Sequence, residues 1–156
     1  MVQEGASAPD FSLPDMEGNP HSLADITAEY VVIYFYPKDS TPGCTIEAKE
    51  FSEALPAFSR LRTAVVGISG GDARSKKKFC EKHDLGVLLL SDSDFSAAKR
   101  YDAYGEKSFM GRRFNGIFRC TFVLDKKRRV MKRFDEVKAR GHAQEVLDFI
   151  SEQEAE

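Results

Sequence analysis

The sequence predicts one α/β domain in which a central mixed β-sheet is flanked by helices. Apolar runs rich in β-branched and aromatic residues, typical of strands buried on both faces, occur at residues 30–36, 64–69 and 120–124. Amphipathic helical patterns alternate with these runs, which is typical of α/β folds. A charged turn at residues 125–128 separates two late strands, so we expect antiparallel as well as parallel pairs.

The N-terminal third is predicted to contain a hairpin, a buried strand and a helix. Turn-forming residues dominate residues 8–20, which favours extended chain and a short hairpin. The first buried strand ends at Pro37. Pro42 suits a helix start, since its missing N–H costs nothing there. Apolar residues recur at helical spacing over residues 44–55, and we expect Pro56 to end or kink that helix.

The middle of the chain is predicted to alternate short elements. Asp72 is a suitable N-cap for a helix that extends to about His83. A short strand at residues 87–90 and a short helix at residues 94–101 follow. Residues 105–117 are polar and contain glycines, which indicates a loop or a short ribbon.

The C-terminal part completes the predicted sheet. Residues 129–134 return as the partner of the strand at residues 120–124, and residues 142–152 form the last helix. Strand, helix, strand, hairpin and a last helix is the order of a thioredoxin-like core. Residues 72–101 would then be an insertion into that core.

Length and charge restrict the possible functions. The 156 residues suit one domain over residues 1–156, and 23 basic against 25 acidic side chains give a net charge of −2. Nothing in this balance favours nucleic acid or an anionic membrane as a partner. The basic runs at residues 76–78 and 126–129 are predicted to be a solvated helix face and a charged hairpin turn.

Targeting signals are not recognisable in the sequence. No apolar stretch approaches the ~20 residues that a membrane-spanning helix needs. The N-terminus has no basic region followed by an apolar run, so no signal peptide is predicted. We therefore expect a cytoplasmic protein. The alternative is an organellar protein whose transit peptide has been left out of this sequence.

Three cysteines, Cys44, Cys80 and Cys120, carry the reactive chemistry that the sequence offers. They are too few and too scattered for a secreted disulfide scaffold. No Cys-x-x-Cys pair is present, which argues against a zinc knuckle or a thioredoxin-type redox centre. The thiols are therefore expected in a reducing compartment, either as buried filler or as reactive groups.

Cys44 has the setting of a reactive thiol. It follows a buried strand, a polar turn and a proline, and it opens a helix. Free N–H groups and the helix dipole at such a position favour the thiolate, which is the nucleophilic form. The alternative is that Cys44 is a small buried hydrophobe. The polar loop at residues 37–41 argues against it, because loops on rigid sheets often carry function.

Residues 35–48, with the sequence FYPKDSTPGCTIEA, closely resemble the active-site segment of peroxiredoxins. The best match is the Q-type group, also called bacterioferritin comigratory proteins. Residues 8–13 are similar to the family's opening strand, and residues 116–125 to its later strand, which carries an arginine, so that the resemblance covers nearly the whole chain. Its most specific part is the motif Pro-x-x-x-Thr-x-x-Cys, formed by Pro37, Thr41 and Cys44.

The resemblance implies a role for each matching residue. Cys44 would be the peroxidatic thiol, whose sulfur attacks a hydroperoxide and becomes a sulfenic acid. Arg119 would stabilise the thiolate and the charge that develops on the peroxide oxygens. Thr41 would hydrogen-bond the thiolate or the peroxide, and Pro37 would shield the thiolate from water. The backbone N–H groups of Gly43 and Cys44 would hold the peroxide. No metal or organic cofactor is implied.

Two neighbours of the motif have simpler interpretations on the residues alone. An arginine at the start of a strand, such as Arg119, is usually a surface residue over apolar neighbours. Glu47 would cap the helix or form a surface pair, although the resemblance also allows a bond within the site. His21 and His142 stand singly and carry no signal of a site.

The resolving thiol is the least certain part of the resemblance. Many Q-type proteins have a second cysteine five residues after the first, where this chain has Lys49. Another branch carries it on the next long helix, where Cys80 stands, so Cys80 is implied to resolve the sulfenic acid after local unfolding. The lysines at residues 76–78 are expected to help lower its pKa. Alternatively Cys80 is structural and an external thiol resolves Cys44. Cys120 is predicted to be buried and structural.

The resemblance implies reduction of hydrogen peroxide and organic hydroperoxides by a monomer, with electrons from thioredoxin or a similar thiol donor. Two rival classes stay open. A thiol–disulfide oxidoreductase is opposed by the lack of a Cys-x-x-Cys pair. A non-catalytic binding module on a thioredoxin-like fold is opposed by the presence of Pro37, Thr41 and Arg119.

Overall fold

The computed structural model describes residues 2–155 as strands and helices in the predicted order. The strands are β1 Ser12–Pro14, β2 Pro20–Ser22, β3 Tyr30–Phe35, β4 Thr63–Ser69, β5 Leu88–Ser91, β6 Tyr104–Phe109, β7 Arg112–Ile117, β8 Cys120–Leu124 and β9 Val130–Phe134. The helices are α1 Pro42–Arg60, α2 Ala73–His83, α3 Ser96–Arg100 and α4 His142–Glu154, with a 3-10 turn at Leu23–Asp25.

Five strands form the central sheet, in the order β5-β4-β3-β8-β9. Strands β3, β4 and β5 run parallel to one another, whereas β8 pairs antiparallel with both β3 and β9. The predicted mixed sheet is therefore confirmed. Two short ribbons lie outside it, β1 with β2 and β6 with β7, and the second of these is the ribbon expected over residues 105–117.

The sheet separates two apolar clusters, because side chains alternate between its faces. Val32 and Tyr34 on β3, and Tyr36 just after it, pack with α1, α2 and α4 in what we call the helix-side cluster. The alternate residues of β3 pack with α3 and the N-terminal hairpin on the other face. Cys44 and Cys80 both belong to the helix-side cluster, and Cys120 belongs to the cluster on the opposite face.

Two helix boundaries bear on the predictions. Asp72 caps α2 as expected, since its side chain accepts a hydrogen bond of 2.8 Å from the backbone N of Ser75. The prediction that Pro56 ends α1 is wrong, because α1 continues to Arg60, and a kink at Pro56 stays a prediction. Pro56 is exposed on the outer side of the helix, and the fully buried Phe58 beyond it holds the last turn on the sheet. None of the helices in residues 2–155 is long and apolar enough to cross a bilayer.

Candidate active site

The site lies where the carboxyl end of β3 meets the start of β8. Phe35, the last residue of β3, pairs with Cys120, the first residue of β8. The loop after β3 leads into α1, and Arg119 immediately precedes β8. Because side chains alternate along a strand, Arg119 faces the helix side of the sheet while Cys120 faces the other. The pairing register therefore brings Arg119 to the first turn of α1.

Cys44 is the third residue of α1 and is 1% exposed. The first helical turn has backbone N–H groups without partners inside the helix, and these groups favour negative charge. Arg119 donates a hydrogen bond from Nη2 to the Cys44 Sγ at 3.3 Å. The guanidinium lies over Gly43, where a built Cβ would be 3.2 Å from Nη2. The structure thus brings together three of the predicted site residues.

Glu47 joins the site from one turn further along α1. Its side chain is fully buried, and Oε1 accepts a hydrogen bond of 2.6 Å from Nη1 of Arg119. Burial raises the pKa of Glu47 to about 7, although the neighbouring guanidinium favours the ionised form. The other oxygen, Oε2, has no hydrogen-bond partner within residues 2–155. The surface interpretation of Glu47 is therefore wrong.

Arg119 bridges the two acids with one charge. Burial acts to lower the pKa of the Arg119 guanidinium, but the facing Glu47 and Cys44 raise it above the usual value. Its side chain is 18% exposed, so it is neither a free surface residue nor sealed from solvent. The guanidinium thus stays charged between a carboxyl group and a thiol.

Lys107 is a site neighbour that the sequence did not indicate. It projects from the β6–β7 ribbon, and its Nζ donates a hydrogen bond of 2.9 Å to the carbonyl oxygen of Ile117. Burial lowers the pKa of Lys107, and the charge of Arg119 lowers it further, whereas Cys44 acts to raise it. The ribbon therefore brings a second cation to the surroundings of Cys44.

Thr41 and Pro37 occupy the loop that precedes α1. Thr41 is the N-cap residue, and its hydroxyl donates to the carbonyl oxygen of Lys38 at 3.1 Å. The predicted bond from this hydroxyl to Cys44 is therefore not formed here, and a bond to a bound peroxide stays a prediction. Pro37 is half-buried and lines a cavity of about 280 Å³ with Gly70 and Phe95. That Pro37 shields Cys44 also stays a prediction.

Cys80 lies in the last turn of α2 and is 7% exposed. Burial raises the pKa of the Cys80 thiol, the nearby Asp39 raises it further, and Lys76 opposes the rise. The expected lowering by the lysine run is present for Lys76, but burial and Asp39 outweigh it, so the pKa of Cys80 is raised on balance. Cys44, Cys80 and Cys120 are all free thiols.

A buried ion pair explains why the lysine run at residues 76–78 is only partly exposed to solvent. Lys77 and Lys78 are exposed, as predicted, but Lys76 is fully buried and its Nζ lies 3.0 Å from Oδ2 of Asp39. Tyr36 donates from its hydroxyl to Oδ1 of Asp39 at 2.7 Å. This Asp39–Lys76 pair joins the loop before α1 to the helix that carries Cys80.

The remaining buried polar groups support the sheet rather than the thiol. His142 is buried at the start of α4, where its Nε2 lies 2.7 Å from the hydroxyl of Thr121 and its Nδ1 lies 2.8 Å from Glu145. Burial lowers the pKa of His142. Cys120 is 1% exposed, and burial raises its pKa to about 12, as expected for a structural thiol. Within residues 2–155, no group of three or more His, Cys, Asp or Glu side chains is arranged to hold a metal ion.

Sequence comparisons identify the family. The family model described as the AhpC/TSA family matches residues 5–133. A putative peroxiredoxin Bcp from Helicobacter pylori is 46% identical over 149 residues, covering 96% of this chain and 98% of its own. The peroxiredoxin Bcp of Bacillus subtilis is 37% identical over 151 residues, covering 97% of this chain and 96% of its own.

Structural comparisons agree with the sequence comparisons. A cysteine-to-serine variant of PrxQ from Xylella fastidiosa has a TM-score of 0.92 at 33% identity, covering 100% of this chain and 99% of that chain. The bacterioferritin comigratory protein of Xanthomonas campestris has a TM-score of 0.89 at 32% identity, covering 97% and 99% of the two chains.

Both kinds of comparison cover nearly the whole chain, and the motif residues stand at the start of α1 as the resemblance implied. The predicted fold and function are confirmed at this level. The chain belongs to the AhpC/TSA family and is a peroxiredoxin with the thioredoxin-like fold, a thiol-dependent peroxidase that acts on peroxides at the expense of thiol reductants.

Proposed function

We propose that Cys44 is the peroxidatic thiol of this enzyme. Its sulfur attacks the terminal oxygen of a hydroperoxide, so that an S–O bond forms, the O–O bond breaks and an alkoxide or hydroxide leaves. The observation that carries this proposal is the 3.3 Å hydrogen bond from Arg119 Nη2 to the Cys44 Sγ at a helix start. Neither Cys80, in the last turn of α2, nor Cys120, in strand β8, lies at a helix start as Cys44 does.

The surroundings of Cys44 suit a reaction in which negative charge moves from the attacking sulfur to the leaving oxygen of the peroxide. Arg119 is held in place by Glu47, so its donors need not reorganise when charge develops on the leaving oxygen. The N–H groups of Gly43 and Cys44 in the first turn of α1 provide further donors. Thr41, at the N-cap, lies three residues before Cys44, so rotation of its side chain would turn the hydroxyl towards a peroxide bound at the sulfur.

Hydrogen peroxide and organic hydroperoxides are the proposed substrates. The bacterioferritin comigratory protein of Xanthomonas campestris has alkyl peroxide reduction activity, and it is similar to this chain over nearly its whole length. The reacting part of every hydroperoxide is the same O–O–H group, which is the part that Cys44 and Arg119 would engage.

Cys80 is the proposed resolving thiol. It attacks the sulfur of the Cys44 sulfenic acid, which forms a disulfide and releases water. Both thiols pack in the helix-side cluster, and both raise the pKa of Tyr34, whose hydroxyl is buried between β3 and the helices. Cys80 lies in the last turn of α2 and Cys44 in the first turn of α1, so one or both turns must open to form the bond.

The disulfide would be returned to two thiols by a dithiol donor of the thioredoxin kind. A monomer suffices for this cycle, because both cysteines belong to one chain. A reducing compartment such as the cytoplasm fits the three free thiols. The alternative is a one-cysteine cycle, in which a small external thiol replaces Cys80.

The test is intact-protein and peptide mass spectrometry after one equivalent of hydrogen peroxide, on the wild type and on Cys80→Ser. A Cys44–Cys80 disulfide in the wild type, with sulfenic or over-oxidised Cys44 in the variant, is expected. Cys120→Ala is the matched control and should behave as the wild type.

The other outcomes are equally informative. Stable Cys44 sulfenic acid in both proteins would remove Cys80 from the cycle and favour the external thiol. An unmodified Cys44 in both proteins would refute the assignment of Cys44 as the peroxidatic thiol.

A further inference from the structure

Arg119 places one positive charge between two acids of the active site, whereas the second nearby cation, Lys107, bonds to the carbonyl oxygen of Ile117. Arg119 donates from Nη1 to the Glu47 carboxyl at 2.6 Å and from Nη2 to the Cys44 sulfur at 3.3 Å. If both acids were ionised, the buried site would carry a net negative charge, and if neither were, it would carry a net positive one. Low dielectric surroundings penalise both states. One ionised acid, paired with the guanidinium, is the neutral arrangement.

We infer that Cys44 and Glu47 share a single proton, which resides on Glu47 while Cys44 is the attacking thiolate and passes from Glu47 to the leaving oxygen. This inference rests on the proposed role of Cys44 and extends it. Glu47 is then the proton store of the reaction, in addition to holding Arg119 in place.

The proton balance of the cycle follows from this assignment. Before attack, the site holds a Cys44 thiolate, a neutral Glu47 and the Arg119 cation. Attack forms the S–O bond and breaks the O–O bond, and the proton of Glu47 converts the leaving alkoxide into an alcohol. The site then holds a neutral sulfenic acid, a Glu47 carboxylate and the same cation, so its net charge is again zero.

The return half of the cycle restores the proton. Resolution by Cys80 forms a disulfide and water, and it neither takes a proton from Glu47 nor gives one to it. Reduction of the disulfide by a dithiol releases Cys44 as a thiol. The proton of that thiol returns to Glu47 when the thiolate forms beside Arg119, which completes the cycle.

Three features of Glu47 suit it to this task. Its side chain is fully buried, and burial favours the neutral carboxyl group over the carboxylate. Its Oε2 is unpartnered within residues 2–155, which leaves one oxygen available to carry a proton while Oε1 accepts from Arg119. Burial raises its pKa to about 7, so that both protonation states are accessible near neutral pH.

The other ionisable groups around Glu47 cannot take its place. Tyr34 is held neutral, because burial raises its pKa well above the usual value. Glu50, on the next turn of α1, accepts from the backbone N of Gly141 and acts to raise the pKa of Glu47. The charged and titratable neighbours of the site, by element, are Glu50 on α1, Tyr34 on β3, Lys107 on β6, Arg119 before β8, Cys120 on β8 and His142 on α4.

The test compares two oxidants whose leaving groups differ in their need for a proton. The leaving group of tert-butyl hydroperoxide is an alkoxide, which must be protonated. The leaving group of peracetic acid is acetate, which need not be. The rate of Cys44 oxidation is measured by rapid quenching and mass spectrometry in the Cys80→Ser background. Glu47→Gln is introduced there, since the glutamine oxygen can still accept from Arg119.

Glu47→Gln is expected to slow the reaction with tert-butyl hydroperoxide by about 100-fold, at the low end for loss of a general acid. With peracetic acid we expect a loss of less than about threefold, because that reaction uses Glu47 only to position Arg119. Glu53→Gln, at an exposed position of α1, is the matched control. It removes a carboxylate from the same helix and is expected to leave both rates unchanged.

Equal losses with both oxidants would overturn the inference and leave Glu47 as a positioning residue alone. No reaction of Cys44 with either oxidant in the Cys80→Ser parent would instead refute the proposed function, so the two failures are distinguishable.

Infrared difference spectroscopy of the Cys80→Ser protein tests the same inference without a substitution at Glu47. Peroxide is expected to remove a protonated carboxyl band from a glutamate-labelled sample at neutral pH. An unchanged carboxyl region would also overturn the inference, whether or not Glu47→Gln folds.

Discussion

Cys44 begins α1 beside a guanidinium, whereas Cys80 ends α2 beside the Asp39–Lys76 pair. The two thiols are similarly buried, at 1% and 7% exposure, and they pack in the same cluster. Cys44 has an arginine donor and the positive end of a helix dipole, while Cys80 lies at the negative end of its helix. Burial therefore does not distinguish Cys44, the proposed nucleophile, from Cys80, the proposed resolving thiol. The local charges do distinguish them.

The comparison also shows how Cys80 is restrained. Its own carbonyl oxygen accepts the backbone N–H of Leu85 at 3.0 Å, within the cap that ends α2. Asp39 and Lys76 tie the same helix to the loop before α1. Release of Cys80, the proposed resolving thiol, must therefore disrupt a helix end, a buried ion pair or both.

The largest expected effect tests this restraint on Cys80. Lys76→Met leaves the buried Asp39 carboxylate without its cation, which should lower the free energy of unfolding by about 3–5 kcal/mol. The Cys44–Cys80 disulfide should form faster in this variant, since α2 detaches more easily. Urea denaturation and rapid-quench alkylation measure the two effects. The exposed Lys77→Met is the control, and equal behaviour of both variants would show that the pair does not restrain α2.

The next effect tests the charge beside Cys44. Arg119→Met removes the donor that faces the reacting sulfur, and loss of one such donor typically slows a reaction by about 10²–10³-fold. The second-order rate of Cys44 oxidation by hydrogen peroxide measures it. Arg113→Met, an exposed position on the β6–β7 ribbon, should keep the wild-type rate. A rate for Arg119→Met close to that of this control would contradict the assigned role.

A smaller effect concerns pH and Glu47. The folded protein holds the Glu47 proton up to about pH 7, while the unfolded chain releases it near the ordinary value of 4.5. Folding therefore takes up a proton between these values, and this group makes the wild type less stable as pH rises. The wild type should lose up to about 3 kcal/mol relative to Glu47→Gln between pH 5 and pH 8. Urea unfolding at both pH values measures the difference, and a constant difference would contradict it.

The smallest expected effect is that of replacing Cys120, the third thiol, and it tests the contrast between Cys120 and Cys44. Cys120 faces the opposite side of the sheet from Cys44, and its pKa of about 12 keeps it protonated. Cys120→Ala should cost about 1 kcal/mol of stability, through lost packing, and leave the peroxide rate unchanged. Thermal unfolding and the peroxidase assay measure these quantities. A clear loss of activity would place Cys120 in the cycle.

Most of the fold could be predicted because its central strands are recognisable in the sequence as apolar runs. The parallel strands are buried on both faces and read as continuous β-branched or aromatic segments, as for residues 30–36. Pro56 misled the prediction that α1 ends there, because a proline inside a helix removes one hydrogen bond and crowds the carbonyl four residues earlier, which breaks a helix unless other contacts hold it. The packing of Phe58 outweighs that loss, and packing is not visible in a local pattern.

The candidate site could be predicted only in part. Cys44 was indicated by its helix start and by the motif, and Arg119 by the resemblance of residues 116–125, whereas Lys76 was misread as solvated because its partner, Asp39, is distant in the sequence. Glu47 carried a usable signal, since it lies three residues after Cys44 and four before Phe51, on the face of α1 that packs on the sheet. An acidic residue at a buried helical position requires a cation, and Arg119 is that cation.

Gly43 illustrates a constraint of another kind. A methyl group at this position would lie 3.2 Å from the Arg119 guanidinium, so even alanine would displace the charge by a few tenths of an ångström. The glycine supplies no side chain, yet the volume that it leaves empty determines where the guanidinium rests. Selection on catalysis would therefore act at Gly43 through steric volume alone, and a substitution there could alter the chemistry without touching a reactive atom or unfolding the helix.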